Sequence, residues 1–323
     1  MCTAISWQGS HHFFGRNLDL EYAYPAQICV APRHFPFSFR QAPAQTTHYA
    51  MIGTATVSDG FPLFYEATNE WGLSAAGLNF PQNAFYPAAT AGPDRVAPFE
   101  LIPWLLGQCR DVAQARLLLE KIEIVNIPFS ETYPVSPLHW IIADRHGALV
   151  VESTGAGLGI YDDPVGVLTN SPVFPMQMQR LADFMHLSPR QPENLFSPSL
   201  PLPHYSNGMG ALGLPGDFSS MSRFVKASFL RQNSIRSGVS EDICHFFHLL
   251  QAVAMPTGSV IMPDGRAEIT RYSCCCDTDT GIYYYTTCHS GRVCAVDLHR
   301  AGPEGAALSL YPMEEETVFH LQN

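Results

Sequence analysis

The hydrophobic period of this chain changes twice along its length. The first third alternates in twos, the middle spaces its apolar residues at three and four, and the end returns to alternation. CTAISW alternates small or polar with apolar side chains, QGSH supplies a turn, and HFFGRN continues as the partner strand of a hairpin. Further strands are expected at AQICVAP, HYAMIGTAT, PLFYEATN and GLSAAGLNF. PFELIPWLLGQC and DVAQARLLLEKIEI read as helices, with Asp111 as N-cap of the second. LHWIIAD and ALVVEST, separated by RHG, form another hairpin across residues 138–154. PMQMQRLADFMHL, SRFVKASFLRQN and EDICHFFHLLQAVA read as helices, the last capped by Ser240 and apolar at Ile243, Phe246, Phe247, Leu250 and Val253. The Pro-, Ser- and Gly-rich stretch from Ser188 to Asp217 is a long loop. AEITRYSCCC, GIYYYTTC, RVCAVDL and AALSLYP complete the strands. Sheets whose halves come from distant segments imply a single α+β domain over residues 1–323.

Composition narrows the function classes. At 46% hydrophobic and 15% charged residues, the chain can bury a large core. A net charge of −11 with 18 scattered Lys and Arg argues against a nucleic-acid partner. MCTAISWQGSHHFFGRN has neither the basic start nor the apolar stretch of a leader. No apolar run reaches the roughly 18–20 residues of a membrane span, so no membrane partner is expected. Nine cysteines, an odd number, do not suggest a secreted disulfide framework, and a reduced, cytoplasmic location follows.

Cys2 carries the most chemistry. Removal of Met1 would place a thiol and a free α-amine on one residue. An α-amine titrates near ~7.7–8.0, against ~10.4 for lysine, so part of it is neutral and can act as base for the neighbouring thiol. Arg16 and Asp19 follow across the expected hairpin, on a strand that would lie beside Cys2. A cation near a thiol favours the thiolate, and a carboxylate can orient and tune the amine.

MCTAI followed by FGRNLDLEY resembles the opening of the choloylglycine hydrolase family, the conjugated bile acid hydrolases and penicillin V acylases of the amino-terminal-nucleophile superfamily. The resemblance continues in order through NEWGLSAAGLNFP, IPFSETYPVSPLHWIIAD, GVLTNSPVFPMQ, LGLPGDFSSMSRFVKASFLR and GIYYYTT. It implies a four-layer αββα sandwich of two antiparallel sheets flanked by helices. It also implies Cys2 as nucleophile, Arg16 supporting the thiolate, Asp19 holding the amine, and Arg223 completing the polar network. Asn170 and Asn79 would stabilise the oxyanion. The chemistry needs neither metal nor cofactor. The family's analogues are often homotetramers, which implies a homo-oligomer with a small-molecule substrate.

The implied reaction is hydrolysis of the amide joining a bile acid to glycine or taurine. Asn79 fits that substrate, since penicillin V acylases tend to carry an aromatic at this position. Leu18, Phe61, Phe129, Tyr133 and Leu138, expected in loops flanking the core blocks, are candidates for the pocket wall. Phe129 and Tyr133 are bulkier than expected for a steroid pocket, which keeps penicillin V and N-acyl-homoserine lactones open as substrates of the same mechanism. A third reading is a non-enzymatic protein that binds apolar acids or senses oxidants through Cys2. Cys274, Cys275 and Cys276 alternate between strand faces and cannot close one tetrahedral metal site by themselves, so no metal is expected there. His245 and His248 read as packing or surface residues on their helix.

Overall fold

Alternation at the two ends of the chain resolves, in the computed structural model, into two antiparallel sheets with helices outside them. The structure describes residues 1–89, 91–92 and 94–323. The first strands are β1 (Cys2–Gln8), β2 (His12–Leu20), β3 (Gln27–Ala31), β4 (Met51–Ser58), β5 (Phe61–Asn69) and β6 (Ser74–Asn79). β7 (Arg95–Val96) precedes α1 (Leu101–Leu106), α2 (Val112–Leu119) and β8 (Glu123–Ile124). β9 (Leu138–Asp144), β10 (Gly147–Thr154), β11 (Gly157–Asp162) and β12 (Val167–Leu168) lead to α3 (Phe174–Arg180), α4 (Ser220–Gln232) and α5 (Val239–Gln251). β13 (Val260–Ile261), β14 (Ala267–Asp277), β15 (Ile282–Thr287), β16 (Cys294–Asp297) and β17 (Ser309–Pro312) complete the order.

The first sheet runs β12-β1-β2-β14-β15-β16, with β13 added beside β14. The second runs β11-β10-β9-β6-β5-β4-β3-β17. Strands from both ends of the chain therefore meet in each sheet, and every neighbouring pair in the two sheets is antiparallel. α4 and α5 cover the first sheet, while α1 and α2 cover the second. This is the expected αββα layering. No described helix is long and apolar enough to cross a membrane.

Because a sheet lies on one side and helices on the other, β1 and β2 are buried on both faces. Trp7 stacks on Phe13 at 5.9 Å and tilts against His245 of α5 at 5.2 Å, so this face belongs to the helices. Cys2, Ala4 and Ser6 take the opposite face, where small side chains let the second sheet approach. Gly15 meets a different constraint, since a Cβ there would fall 1.8 Å from Cys274 O of β14, its neighbour in the same sheet.

Local signals hold where they have a mechanism. The Asp111 side chain accepts from Gln114 N and starts α2 as expected. α2 stops at Leu119, earlier than its sequence pattern suggests, because Glu123 and Ile124 leave to pair with Arg95 and Val96. Ser240 does not cap α5; Gly238 occupies the N-cap and Ser240 lies inside the first turn. The helix expected through PMQMQRLADFMHL is α3 followed by a tighter turn at Leu181–Phe184.

Candidate active site

Cys2 opens β1 and pairs with Leu18 of β2, while Ala4 pairs with Arg16. Cross-strand partners share a face, so Cys2, Leu18 and Arg16 all look toward the second sheet. Arg16 is fully buried. Its Nη1 donates to Gly77 O at 2.6 Å and Tyr65 O at 3.0 Å, and its Nη2 has no hydrogen-bond partner among the described residues. Arg16 Nε lies 3.8 Å from Glu66 Oε2. Glu66 in turn accepts from Tyr283 OH, Tyr272 OH and Thr54 N at 2.6, 2.7 and 3.1 Å. Burial pushes the Glu66 carboxyl up, against the pull of Arg16 and these donors. Burial also works against the charge of Arg16, but Cys2, Tyr272 and Glu66 outweigh it and hold the guanidinium above its usual range. A fixed cation thus shares the face of the thiol.

The odd-numbered side chains of β2 point the other way. Asn17 donates to Leu250 O of α5 at 2.8 Å. Asp19 is buried there, and burial raises its carboxyl above the ordinary range despite Arg223, the amine of residue 1 and the Thr270 hydroxyl. Arg223 enters from α4, a helix capped by Ser219. Its Nη1 donates to Cys2 O at 2.5 Å and Thr3 Oγ1 at 2.6 Å, and its Nη2 to Asn170 Oδ1 at 2.6 Å. Burial lowers the pKa of Arg223, while Asp19 and Cys2 oppose that shift.

Asn170 follows β12 and is pinned from several directions. Its Oδ1 accepts from Cys2 N at 2.9 Å as well as from Arg223, which fixes the orientation of the amide. Its Nδ2 donates to Asn79 O at 2.7 Å. Gln177 of α3 donates to Asn170 O, and Ser220 Oγ accepts from Asn170 N. Asn170 therefore clamps the main chain of Cys2 with its oxygen, and one of its two amide hydrogens remains for a ligand. The structure brings Cys2, Arg16, Asp19, Asn79, Asn170 and Arg223 together from β1, β2, β6, α4 and the segment after β12.

Met1 occupies the same region. Its ammonium donates to Asp19 O at 2.8 Å and forms an ion pair with Glu268, which is 2% exposed. Burial holds that amine below the ordinary α-amine range. With Met1 attached, the nitrogen of Cys2 is an amide and cannot serve as base. Glu66, Glu268, Thr270 and Tyr272 were not among the sequence candidates. Glu268, Thr270 and Tyr272 had a signal in the polar residues at every second position of AEITRYSCCC, whereas Glu66, in PLFYEATN, had none of its own.

A cavity of about 480 Å³ opens beside Cys2. Arg16, Asn79, Leu18, Phe129, Tyr133 and Leu138 are on its wall, together with Leu20, Leu63, Ile127 and Val135. Phe61 is a correction: it stands outside the cavity wall, packed on Phe129 at 6.0 Å and Phe99 at 5.7 Å. The expected loop placement also fails for three wall candidates. Leu18 lies within β2, and Phe61 and Leu138 begin β5 and β9. Leu138 reaches the wall from the start of β9, and Leu18 from its place opposite Cys2.

Cys274, Cys275 and Cys276 are buried thiols; burial pushes Cys276 up to about 12 and holds the other two well above the ordinary thiol range. Among the described residues, His11, Asp277 and Asp279 bring possible ligand atoms within 4.8 Å of one another. His11 Nδ1 is already 2.8 Å from Asp277 Oδ2, and Arg145 pairs with Asp279 at 2.9 Å. His245 packs on Trp7, and His248 is exposed near the end of α5.

The family model described as linear amide C–N hydrolases, choloylglycine hydrolase family, matches residues 2–303. The chain is 44% identical to a bile salt hydrolase/transferase of Lactiplantibacillus plantarum, over all of both chains. It is similar in structure to the C2A mutant of conjugated bile acid hydrolase from Clostridium perfringens, with a TM-score of 0.92, 32% identity and complete coverage of both. A penicillin V acylase from Agrobacterium tumefaciens shares the fold at a TM-score of 0.76 and 21% identity, covering 99% of this chain and 100% of that one.

Proposed function

The chain belongs to the choloylglycine hydrolase family of linear amide C–N hydrolases, and we propose that it cleaves the amide bond of glycine- or taurine-conjugated bile acids. The observation that carries this reading is the position of Cys2, at an apolar cavity of about 480 Å³, on the face that holds the Arg16 cation. Removal of Met1 makes the Cys2 nitrogen an α-amine. That amine takes the thiol proton, and the thiolate attacks the amide carbonyl carbon. Asn79 and the free amide hydrogen of Asn170 receive the oxyanion. As the tetrahedral adduct collapses, the C–N bond breaks and the protonated amine returns its proton to the leaving amino acid. Water then adds to the thioester, and the acyl group departs as a carboxylic acid while the thiol is restored. Arg223 holds the carbonyl of residue 2 still, and Asp19 steadies the amine.

Residues 1–323 form in this reading one domain, catalytic once Met1 is removed. The finer expectations are a homo-oligomer, supported by the exposed Leu195, Phe196 and Tyr205, and a cytoplasmic location, supported by nine free cysteines. Light scattering tests the first, and cell fractionation the second.

Phe129 and Tyr133, 6.1 Å apart on the wall, favour a second reading with a narrower acyl group such as phenoxyacetyl or a fatty chain. Parallel turnover of glycocholate, taurocholate, penicillin V and an N-acyl-homoserine lactone separates the two. The highest kcat/KM is expected for a bile salt. No release of glycine or taurine would overturn the substrate assignment.

A further inference from the structure

Thr270 of β14 pairs with Asp19 of β2 across a break in the ladder. From Asp277 back to Tyr272 the strands match one to one, with Cys274 opposite Arg16 and Tyr272 opposite Leu18. The register then shifts between Tyr272 and Thr270, and Arg271 is the extra residue. In an unbroken ladder Thr270 would share the face of Tyr272 and Cys274, toward the second sheet. The bulge turns it over, onto the face that carries Asn17, Asp19 and Arg223.

Donor counting then fixes what the hydroxyl does. Thr270 Oγ1 accepts from Met255 N at 2.8 Å, and its one hydrogen goes to Asp19 Oδ1 at 2.5 Å. The other carboxylate oxygen, Asp19 Oδ2, is buried without a hydrogen-bond partner among the described residues. The charged groups around Asp19 are Arg223 from α4, Arg16 on its own strand and the amine of residue 1, with Glu268 of β14 beside that amine.

We propose that Thr270 is a positioning residue for amide hydrolysis: the bulge at Arg271 delivers its hydroxyl to Asp19, locking one carboxylate oxygen and keeping the other for the α-amine of residue 2. This rests on the reading of Cys2 and its amine given above. A hydrogen bond to the ionised form favours that form, so removing the donor lets the carboxyl take up a proton at a higher pH. The acid limb of the rate profile then moves up.

The test is steady-state glycocholate hydrolysis across the acid range by the Met1-free enzyme, Thr270→Val, Thr270→Ala and Thr270→Ser. Val keeps the shape without the donor, Ala removes it if the Val variant does not fold, and Ser restores it. The expected result for Val or Ala is a fall in kcat of about tenfold with KM within about twofold, and an acid limb shifted up by about half a unit or more. Ser should recover both rate and limb. A structural role alone would reduce the amount of active enzyme and leave the limb in place. An active wild type whose limb is unmoved in Val and Ala overturns the role of Thr270. A wild type without hydrolysis overturns the reading on which it rests.

Discussion

The side-chain oxygen of Asn170 lies 2.9 Å from the main-chain nitrogen of Cys2, a residue 168 positions away. Arg223 shares that oxygen and also grips the carbonyl of Cys2, so residue 2 is held at both of its peptide groups. A nucleophile at a chain end would otherwise fray. In the proposed Met1-free enzyme the clamp supplies that order.

Asn170→Ala removes the clamp and a donor for the oxyanion together. kcat should fall by about a hundredfold or more, the usual scale for losing such a donor. Initial rates with saturating glycocholate, beside a circular-dichroism check of folding, measure it.

Asp163 gives the pH dependence of stability a definite sign. Burial pushes its carboxyl up to about 7, against backbone donors at Gly166 and Val165 and the charge of Arg231. Its Oδ1 takes both of those backbone hydrogen bonds, and its Oδ2 has no partner among the described residues. The folded state therefore disfavours ionisation, and the penalty begins above the unfolded value near ~3.9 and is complete above about 7. Asp163→Asn keeps Oδ1 and removes the charge. Its Tm should exceed the wild type's most above pH 7, with the gap closing as pH falls toward 4. Equal gaps at both ends would contradict this.

Phe129 narrows the cavity from a crowded position, with Phe99 at 5.2 Å and the Arg40 guanidinium 5.5 Å above its ring. Phe129→Leu should widen the wall at a cost of about 1–3 kcal/mol in stability. The ratio of kcat/KM for glycocholate over penicillin V should rise by about threefold or more. An unchanged ratio would show that this ring does not set acyl width.

Asp111 caps α2 through Gln114 N at 2.8 Å. Asp111→Ala should cost about 1 kcal/mol, read as a lower urea midpoint, with kcat unaffected because the helix covers the second sheet away from Cys2.

Much of this was legible in the sequence because the informative residues sit in long periodic strands. The CTAISW–HFFGRN hairpin is enough to put Arg16 and Asp19 beside Cys2. Alternation also separates their faces, one toward the second sheet and one toward α4 and α5. What stayed hidden depends on contacts between distant elements. Glu66 looks like any polar position of PLFYEATN until Tyr272 and Tyr283 arrive from β14 and β15. The bulge at Arg271 has no local turn signal, and β7, β8, β12 and β13 are two residues long, too short to show a period. Asn170 could be named, but not that its oxygen rather than its nitrogen faces Cys2 N.

The central claim is that the Cys2 thiol performs the hydrolysis. Its most direct measurement is glycine release from glycocholate by the Met1-free enzyme and by Cys2→Ala at equal concentration. The expected result is steady release by the first and a rate indistinguishable from the enzyme-free background for the second. Release by Cys2→Ala within tenfold of the wild type would contradict it and assign the nucleophile elsewhere.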